Sequence, residues 1–314
     1  MHSQIKKWLA PLEDIKTFET AWLTLRYSLA RRSNKSLTAL SHLFIEAVGL
    51  FTNRLKIVRK DNSFAGEQQL LAETMKNMNI ENGYLVDIGA ADGIRQSSTV
   101  GLLSDIGWKG TLFEYSPQPF SRLAFLYHES HEVNLAKTKV TPLNVVSLFE
   151  GFCIPKTFEY LNIDIDSYDL SILRELIDSG YRPKIISMEV NEKFPPNLYF
   201  EVLYSDEHTW AGDHFFGCSL VAAYESLQSR GYEIVRMEYN NAVFIESTFT
   251  RNDKSKVDLS SIYKKGYLEK RDRKELFPWN EDFELILEIE SESAVEFLSK
   301  IFYSYSGKYR LEIR

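Results

Sequence analysis

The stretch of the 314-residue chain best suited to chemistry is Tyr84-Leu85-Val86-Asp87-Ile88-Gly89-Ala90-Ala91-Asp92-Gly93, an apolar run that ends in an acid and turns through two glycines. Glycine lets a backbone turn tightly and come close to a ligand where a Cβ would collide. The pattern predicts a helix from near Ile94, with its free N–H groups facing the cleft at the strand's carboxyl end, where open α/β sheets bind ligands. Gly89 and Gly93 lack the third glycine of a Gly-x-Gly-x-x-Gly turn, so a pyrophosphate is disfavoured. A carboxylate at Asp87 would repel phosphate and attract an ammonium group, directly or through water. A second apolar run, Thr111-Leu112-Phe113, ends at Glu114, 27 residues after Asp87, about where a carboxylate holds both hydroxyls of a ribose.

A second set of acids follows the apolar run Tyr160-Leu161-Asn162-Ile163-Asp164-Ile165-Asp166-Ser167-Tyr168-Asp169. Period-two alternation sends Asp164 and Asp166 to the same side of an extended chain, close enough to repel unless a cation or ammonium lies between them. The next run, Ile185 to Asn191, ends with Glu189 and Asn191 at the same rim. Carboxylates with an amide oxygen are hard ligands suited to Mg²⁺ or Ca²⁺, so Asp164, Asp166, Glu189 and Asn191 are the candidate metal ligands. A hydroxyl bound to such a cation loses its proton more readily and becomes a nucleophile. The polar, aromatic segment Asp206 to Ser219 adds His208 and His214, which titrate near neutrality; His214, His208 and Asp166 are the candidate catalytic residues. Cys218 has no base paired with it and reads as a buried structural thiol.

These residues need a scaffold of short strands and crossover helices. From Gly83 onward, apolar runs alternate with amphipathic ones between Gly, Pro and Asn breaks, the pattern of βα units around a parallel sheet. Strands are predicted at 84–88, 111–113, 160–165, 184–190, 233–237 and 242–245, and helices near 94–106, 118–129, 144–151, 168–179 and 218–230. The last two strands are too close for a crossover and must form an antiparallel hairpin. The predicted fold is α/β: a doubly wound, mostly parallel, Rossmann-like sheet with a terminal hairpin, a helical N-terminal extension and a small C-terminal appendage. The predicted domains are a helical extension over 1–80, with a buried stripe from Leu37 to Leu55, a catalytic domain over 81–250, and a charged linker with an appendage over 251–314. Within the last, 251–275 reads as a mobile loop, Phe283–Ile289 as a strand and Ser293–Tyr303 as a helix.

Composition narrows the class. The chain is 44% hydrophobic and 26% charged, which excludes a disordered or disulfide-stapled chain, and its two cysteines fit a reducing, cytoplasmic setting. Its net charge of −7 argues against non-specific nucleic-acid binding. Residues 1–60 nevertheless hold eleven Lys/Arg against four acids, a local +7, which opens peripheral contact with an anionic surface or a solvated helical face. No apolar stretch is long enough for a membrane span or placed as a secretory leader. The oligomeric state is not readable.

Adenosine plus an ammonium describes S-adenosylmethionine. The strand ending D-x-G-x-x-x-G, followed by Gly107-Trp108-Lys109-Gly110-Thr111-Leu112-Phe113-Glu114-Tyr115-Ser116-Pro117, resembles the class I S-adenosylmethionine-dependent methyltransferases, and within them the FkbM-type branch. The resemblance covers about Gly83 to Glu246. It implies a methyltransferase fold, with Asp87, Gly89, Ala90, Asp92 and Gly93 lining the methionine part of the cofactor, Glu114 the ribose, and Asp164 near the same site. Metal-dependent O-methyltransferases are similar in gathering acids and an Asn at the ends of their fourth and fifth strands. The implied activity is transfer of a methyl group to a hydroxyl of a small or saccharide-like acceptor, with Mg²⁺ as an option. Two alternatives stand beside it. Asp164-Ile165-Asp166 is also the D-x-D of a metal-dependent glycosyltransferase, and a methyltransferase scaffold could serve as a non-catalytic, cofactor-binding interaction protein.

Overall fold

The computed structural model describes residues 62–64, 66–104, 107–249 and 257–314. The helical stripe at 37–55 and the basic segment lie outside the described residues.

Seven strands make one sheet: β1 (Gly83–Ile88), β2 (Trp108–Glu114), β3 (Val133–Lys137), β4 (Thr157–Ile163), β5 (Arg182–Glu189), β7 (Tyr232–Glu238) and β8 (Asn241–Glu246). Their order is β3-β2-β1-β4-β5-β8-β7. Strands β1 to β5 run parallel, β8 is antiparallel to β5, and β7 and β8 form the hairpin, with a bulge between Ile234 and Arg236. The fold is the doubly wound, Rossmann-like arrangement with a terminal antiparallel hairpin that the sequence predicts.

Side-chain alternation explains why both faces of this sheet are covered. Leu85, Leu112, Tyr160 and Ile185 point to one face, where they pack with Leu70, Leu71 and Met75 of α1 (Glu67–Asn77). Their neighbours Val86, Phe113, Leu161 and Ile186 point to the other. There they meet α4 (Val145–Gly151), α5 (Asp169–Asp178) and α6 (Leu220–Gln228) through Phe149, Leu173 and Ala223. A strand apolar at every position must be sandwiched in this way.

Several elements differ from expectation. The helix expected over 94–106 is reduced to one turn, α2 (Val100–Leu103). Gln96 stands at φ +55°, and the Ser97 hydroxyl accepts the Val100 N–H (3.1 Å), so the chain loops before it coils. Helix α3 (Pro117–Tyr127) follows β2, and β3 was not foreseen. Residues 257–276 are not a loose connection: α7 (Leu259–Tyr263), a π-helical turn (Lys264–Leu268) and α8 (Arg273–Leu276) pack on the sheet through buried Tyr263 and Tyr267. The strand expected at 283–289 is part of a 3₁₀ segment, Pro278–Leu287, while α9 (Ser291–Ile301) forms as expected. Two further strands, β6 (Leu198–Val202) and β9 (Tyr309–Ile313), pair antiparallel in a separate sheet. Phe194, Phe200, Phe215, Phe283, Leu298 and Phe302 form a third apolar core between that pair and α9. Among the described residues no helix is long and apolar enough to cross a membrane.

Candidate functional site

The carboxyl ends of β1, β2 and β4 open into a cavity of about 460 Å³. Its floor is the turn after β1. Gly89 adopts φ +98°, and a Cβ there would lie 1.7 Å from the Asp164 carbonyl oxygen, so only glycine lets β1 and the end of β4 approach so closely. The Gly89 and Ala90 N–H groups both donate to the Phe113 carbonyl (3.0 Å).

Asp87 and Glu114 both line this cavity. The Asp87 carboxylate is buried and accepts one hydrogen bond on each oxygen, from Thr99 Oγ1 (2.7 Å) and Asn162 Nδ2 (2.9 Å). Burial raises its pKa against the pull of these donors. The Glu114 carboxylate ties two loops together, with Oε2 accepting the Ala91 N–H (2.9 Å) and Oε1 the Ser116 N–H (2.5 Å). Ala90 lines the cavity, whereas Asp92 and Gly93 build the turn behind it. Asp92 Oδ1 accepts the N–H groups of Ile94 and Arg95, and Gly93, at φ +75°, faces Leu123.

Asp164, Asp166 and Glu189 meet at the rim, each presenting an oxygen, all within 4.8 Å of one another. Burial, and after it the charges of Asp166, Asp169 and Asp87, pushes the Asp164 carboxyl well above its ordinary range. Burial and the charge of Asp164 do the same to Glu189, and burial raises Asp166. Asn240 donates to Glu189 Oε1 (2.7 Å), while Oε2 is buried and accepts no hydrogen bond from the described residues. Such a set is electrostatically unfavourable as it stands and would be relieved by a cation. The side chain of Asn191 keeps its Oδ1 buried and without a hydrogen-bond partner among the described residues. Its Nδ2 donates to the carbonyls of His214 and Phe216 (3.0 Å each), pinning the loop before α6.

The two histidines part company. His208 lines the cavity, and its Nδ1 lies 2.5 Å from Ser167 Oγ. Burial holds its pKa below the usual imidazole value. His214 is not among the cavity-lining residues; it pairs with Asp282 (3.1 Å) and packs on the Phe283 ring at 4.0 Å. Cys218 is buried, which pushes its thiol well above the ordinary value, in keeping with an inert core residue.

Asn162, Thr99, Ser167, Tyr115 and Trp210 line the cavity or support it, yet no motif in the sequence marks them. Asn162 was within reach, because β4 pairs in register with β1 and sets Asn162 opposite Asp87. Tyr115 and Trp210 line the cavity while 58% and 42% exposed, which a sequence cannot distinguish from core aromatics.

No protein-family model matches the chain, and no curated protein matches it either. Similar solved structures include the N-terminal domain of EvdMO1 in the presence of SAH and D-fucose, 13% identical over 57% of this chain and 82% of that one, with a TM-score of 0.38. A SAM-dependent methyltransferase from Aquifex aeolicus is 10% identical over 61% of this chain and 95% of that one, with a TM-score of 0.36. The [4+2]-cyclase SpnF is 17% identical over 55% of this chain, which spans 59% of the cyclase, with a TM-score of 0.36. None of these likenesses transfers an activity to the present chain.

Proposed function

We propose that the chain is a class I S-adenosylmethionine-dependent methyltransferase of the FkbM type, which methylates a hydroxyl on a small or saccharide-like acceptor. Residues 81–250 would be the catalytic domain, with the flanking segments as extensions. The observation that carries the reading is that Asp87 and Glu114 face one cavity over a glycine floor. A carboxylate offers about four lone-pair sites, and each Glu114 oxygen takes only one backbone N–H, so both oxygens keep capacity for the two ribose hydroxyls. Asp87 is a buried carboxyl with no cationic partner among the described residues, the complement of an α-ammonium group.

Asp164, Asp166 and Glu189, with Asn191 Oδ1 as the amide oxygen, are the groups that would hold a Mg²⁺, and such an oxygen donor set fits a hard cation. Such an ion, when bound, lowers the pKa of a coordinated hydroxyl. His208, kept neutral by burial at the cavity wall, is the group in reach to take the acceptor's proton.

Calorimetric titration with S-adenosylhomocysteine is expected to show one site per chain, lost in Asp87→Ala and Glu114→Ala. Release of that product from S-adenosylmethionine should require a hydroxylated acceptor and increase with Mg²⁺. Undiminished binding in both variants would defeat the reading. The convergence of Asp164 and Asp166 at the rim also suits the D-x-D of a glycosyltransferase, and Mn²⁺-dependent hydrolysis of a nucleotide-sugar would favour it. That alternative gives Asp87 and Glu114 no task. Cofactor binding without turnover on any acceptor would favour the non-catalytic scaffold.

A further inference from the structure

The loop between β4 and α5 carries a hydroxyl into the cavity wall in a fixed position. The Ser167 N–H donates to Asp169 Oδ2 (3.0 Å), and its carbonyl accepts the Gly217 N–H (2.8 Å). Asp166 before it is held at φ +52°, a left-handed conformation that costs a non-glycine residue roughly 1–3 kcal/mol and persists only where its surroundings impose it. With the backbone so constrained, Ser167 Oγ lies 2.5 Å from His208 Nδ1, and the two residues are only 5% and 8% exposed.

His208 is equally fixed. Its ring packs against Tyr168 (6.4 Å) and Phe215 (5.6 Å), and the Lys139 ammonium holds its carbonyl (3.3 Å). The charged groups that act on the imidazole are Asp213, Lys139 and Lys308, yet the hydrogen-bond partner of Nδ1 among the described residues is the Ser167 hydroxyl. A neutral imidazole has one donor and one acceptor nitrogen. If Nδ1 is the acceptor, the Ser167 O–H points to it, and the serine oxygen keeps its lone pairs for a hydroxyl in the cavity.

We propose that Ser167 is a further catalytic residue, which relays the acceptor's proton to Nδ1 of His208. The inference rests on the methyl-transfer reading. As the acceptor oxygen forms its bond to the methyl carbon, the carbon–sulfur bond of the sulfonium donor breaks and its electron pair stays on sulfur. The acceptor's proton passes to Ser167 Oγ while the serine proton passes to His208 Nδ1. The products are an ether, a neutral thioether and an imidazolium, so the donor's positive charge ends on His208, which later yields its proton to water.

The test begins with the histidine tautomer, read from the ¹⁵N shifts of the full-length chain at a pH where imidazole is neutral, with His208 identified by its loss in His208→Gln. The wild type should carry the proton on Nε2. Ser167→Ala should shift His208 toward a mixture of tautomers, and Ser167→Thr should restore the wild-type spectrum. A proton on Nδ1 in the wild type, or a His208 signal that ignores Ser167→Ala, overturns the proposal. With an acceptor found by product release, Ser167→Ala should lower kcat roughly 100-fold while KM for S-adenosylmethionine stays unchanged, and a kcat within threefold of wild type overturns the relay. Should Ser167→Ala fail to fold, the wild-type tautomer and the Ser167→Thr variant decide. A wild type that does not bind S-adenosylhomocysteine would instead break the methyl-transfer reading and leave the tautomer result standing.

Discussion

Glu114 joins the turn after β1 to the loop after β2 with a single carboxylate, so its removal acts on geometry as well as on ligand. Hydrogen bonds to a charged group contribute about 1.5–3 kcal/mol each, so Glu114→Gln should weaken S-adenosylhomocysteine binding by roughly one to two orders of magnitude in calorimetry. Asp87 sets a pH dependence. Burial raises its carboxyl above the ordinary 3.8 in the empty site, and a bound ammonium favours its ionised form. Affinity should therefore fall on acidification, starting above 3.8, while Asp87→Asn should bind weakly with no such limb; a wild-type affinity flat in pH would contradict this. At the rim, burial raises all three carboxyls and neighbouring carboxylate charge adds to it at Asp164 and Glu189, so in the absence of a cation the native cluster holds protons that the unfolded chain releases. Asp164→Asn should then raise the cation-free Tm, by about 2–4 °C per kcal/mol of relieved repulsion. Added Mg²⁺ should raise the wild-type Tm and leave that of the variant nearly unmoved.

At the scale of elements, Gly89 is the position where β1 and β4 can least tolerate change. Gly89→Ala would set a methyl 1.7 Å from a carbonyl oxygen at a left-handed φ, and it should destabilise the chain by more than about 3 kcal/mol in urea unfolding. The turn was legible because glycine, acid and apolar run stand together in sequence. The hairpin β7–β8 was legible because its strands are too close to cross over. Less visible was β3, a short, partly exposed edge strand of sequence Val133-Asn134-Leu135-Ala136-Lys137, whose apolar alternation runs only over Val133-Asn134-Leu135 and is too brief to mark it. β6 is fully buried, yet its partner β9 lies some hundred residues later, and pairing over such a separation leaves no local trace. The charges of 251–275, of which 251–256 lie outside the described residues, suggest a mobile loop because they outnumber the anchors. Two buried tyrosines and the close approach of Gly266 to the Met237 carbonyl nevertheless fix 257–276 to the sheet. At the site, the acids that converge were named, while the hydroxyl and amide groups that support them were not, because Ser, Thr and Asn carry chemistry only when geometry gives them a partner.

On the scale of the whole molecule, the third apolar core joins the C-terminal elements to the loop that carries the histidines. Phe302 meets Phe200, Phe215 and Phe283, and the Phe215 ring stacks on Tyr305 at 3.8 Å. Phe302→Ala should cost about 3–5 kcal/mol, measured by denaturant unfolding. It should lower turnover more than it lowers cofactor affinity, because Asp87 and Glu114 sit on strands that this core does not touch. The Tyr305 hydroxyl also donates to Asp213 Oδ2 (2.6 Å), and the Asp213 carbonyl accepts the Trp210 indole N–H (2.7 Å). A chain of direct bonds thus runs from the final helical turn to an aromatic ring at the mouth of the cavity. The tail in this way acts as a buttress: sequence drift in the last thirty or so residues would reshape the mouth of the cavity at Trp210, while the end floored by Gly89 and lined by Asp87 and Glu114 stays as it is.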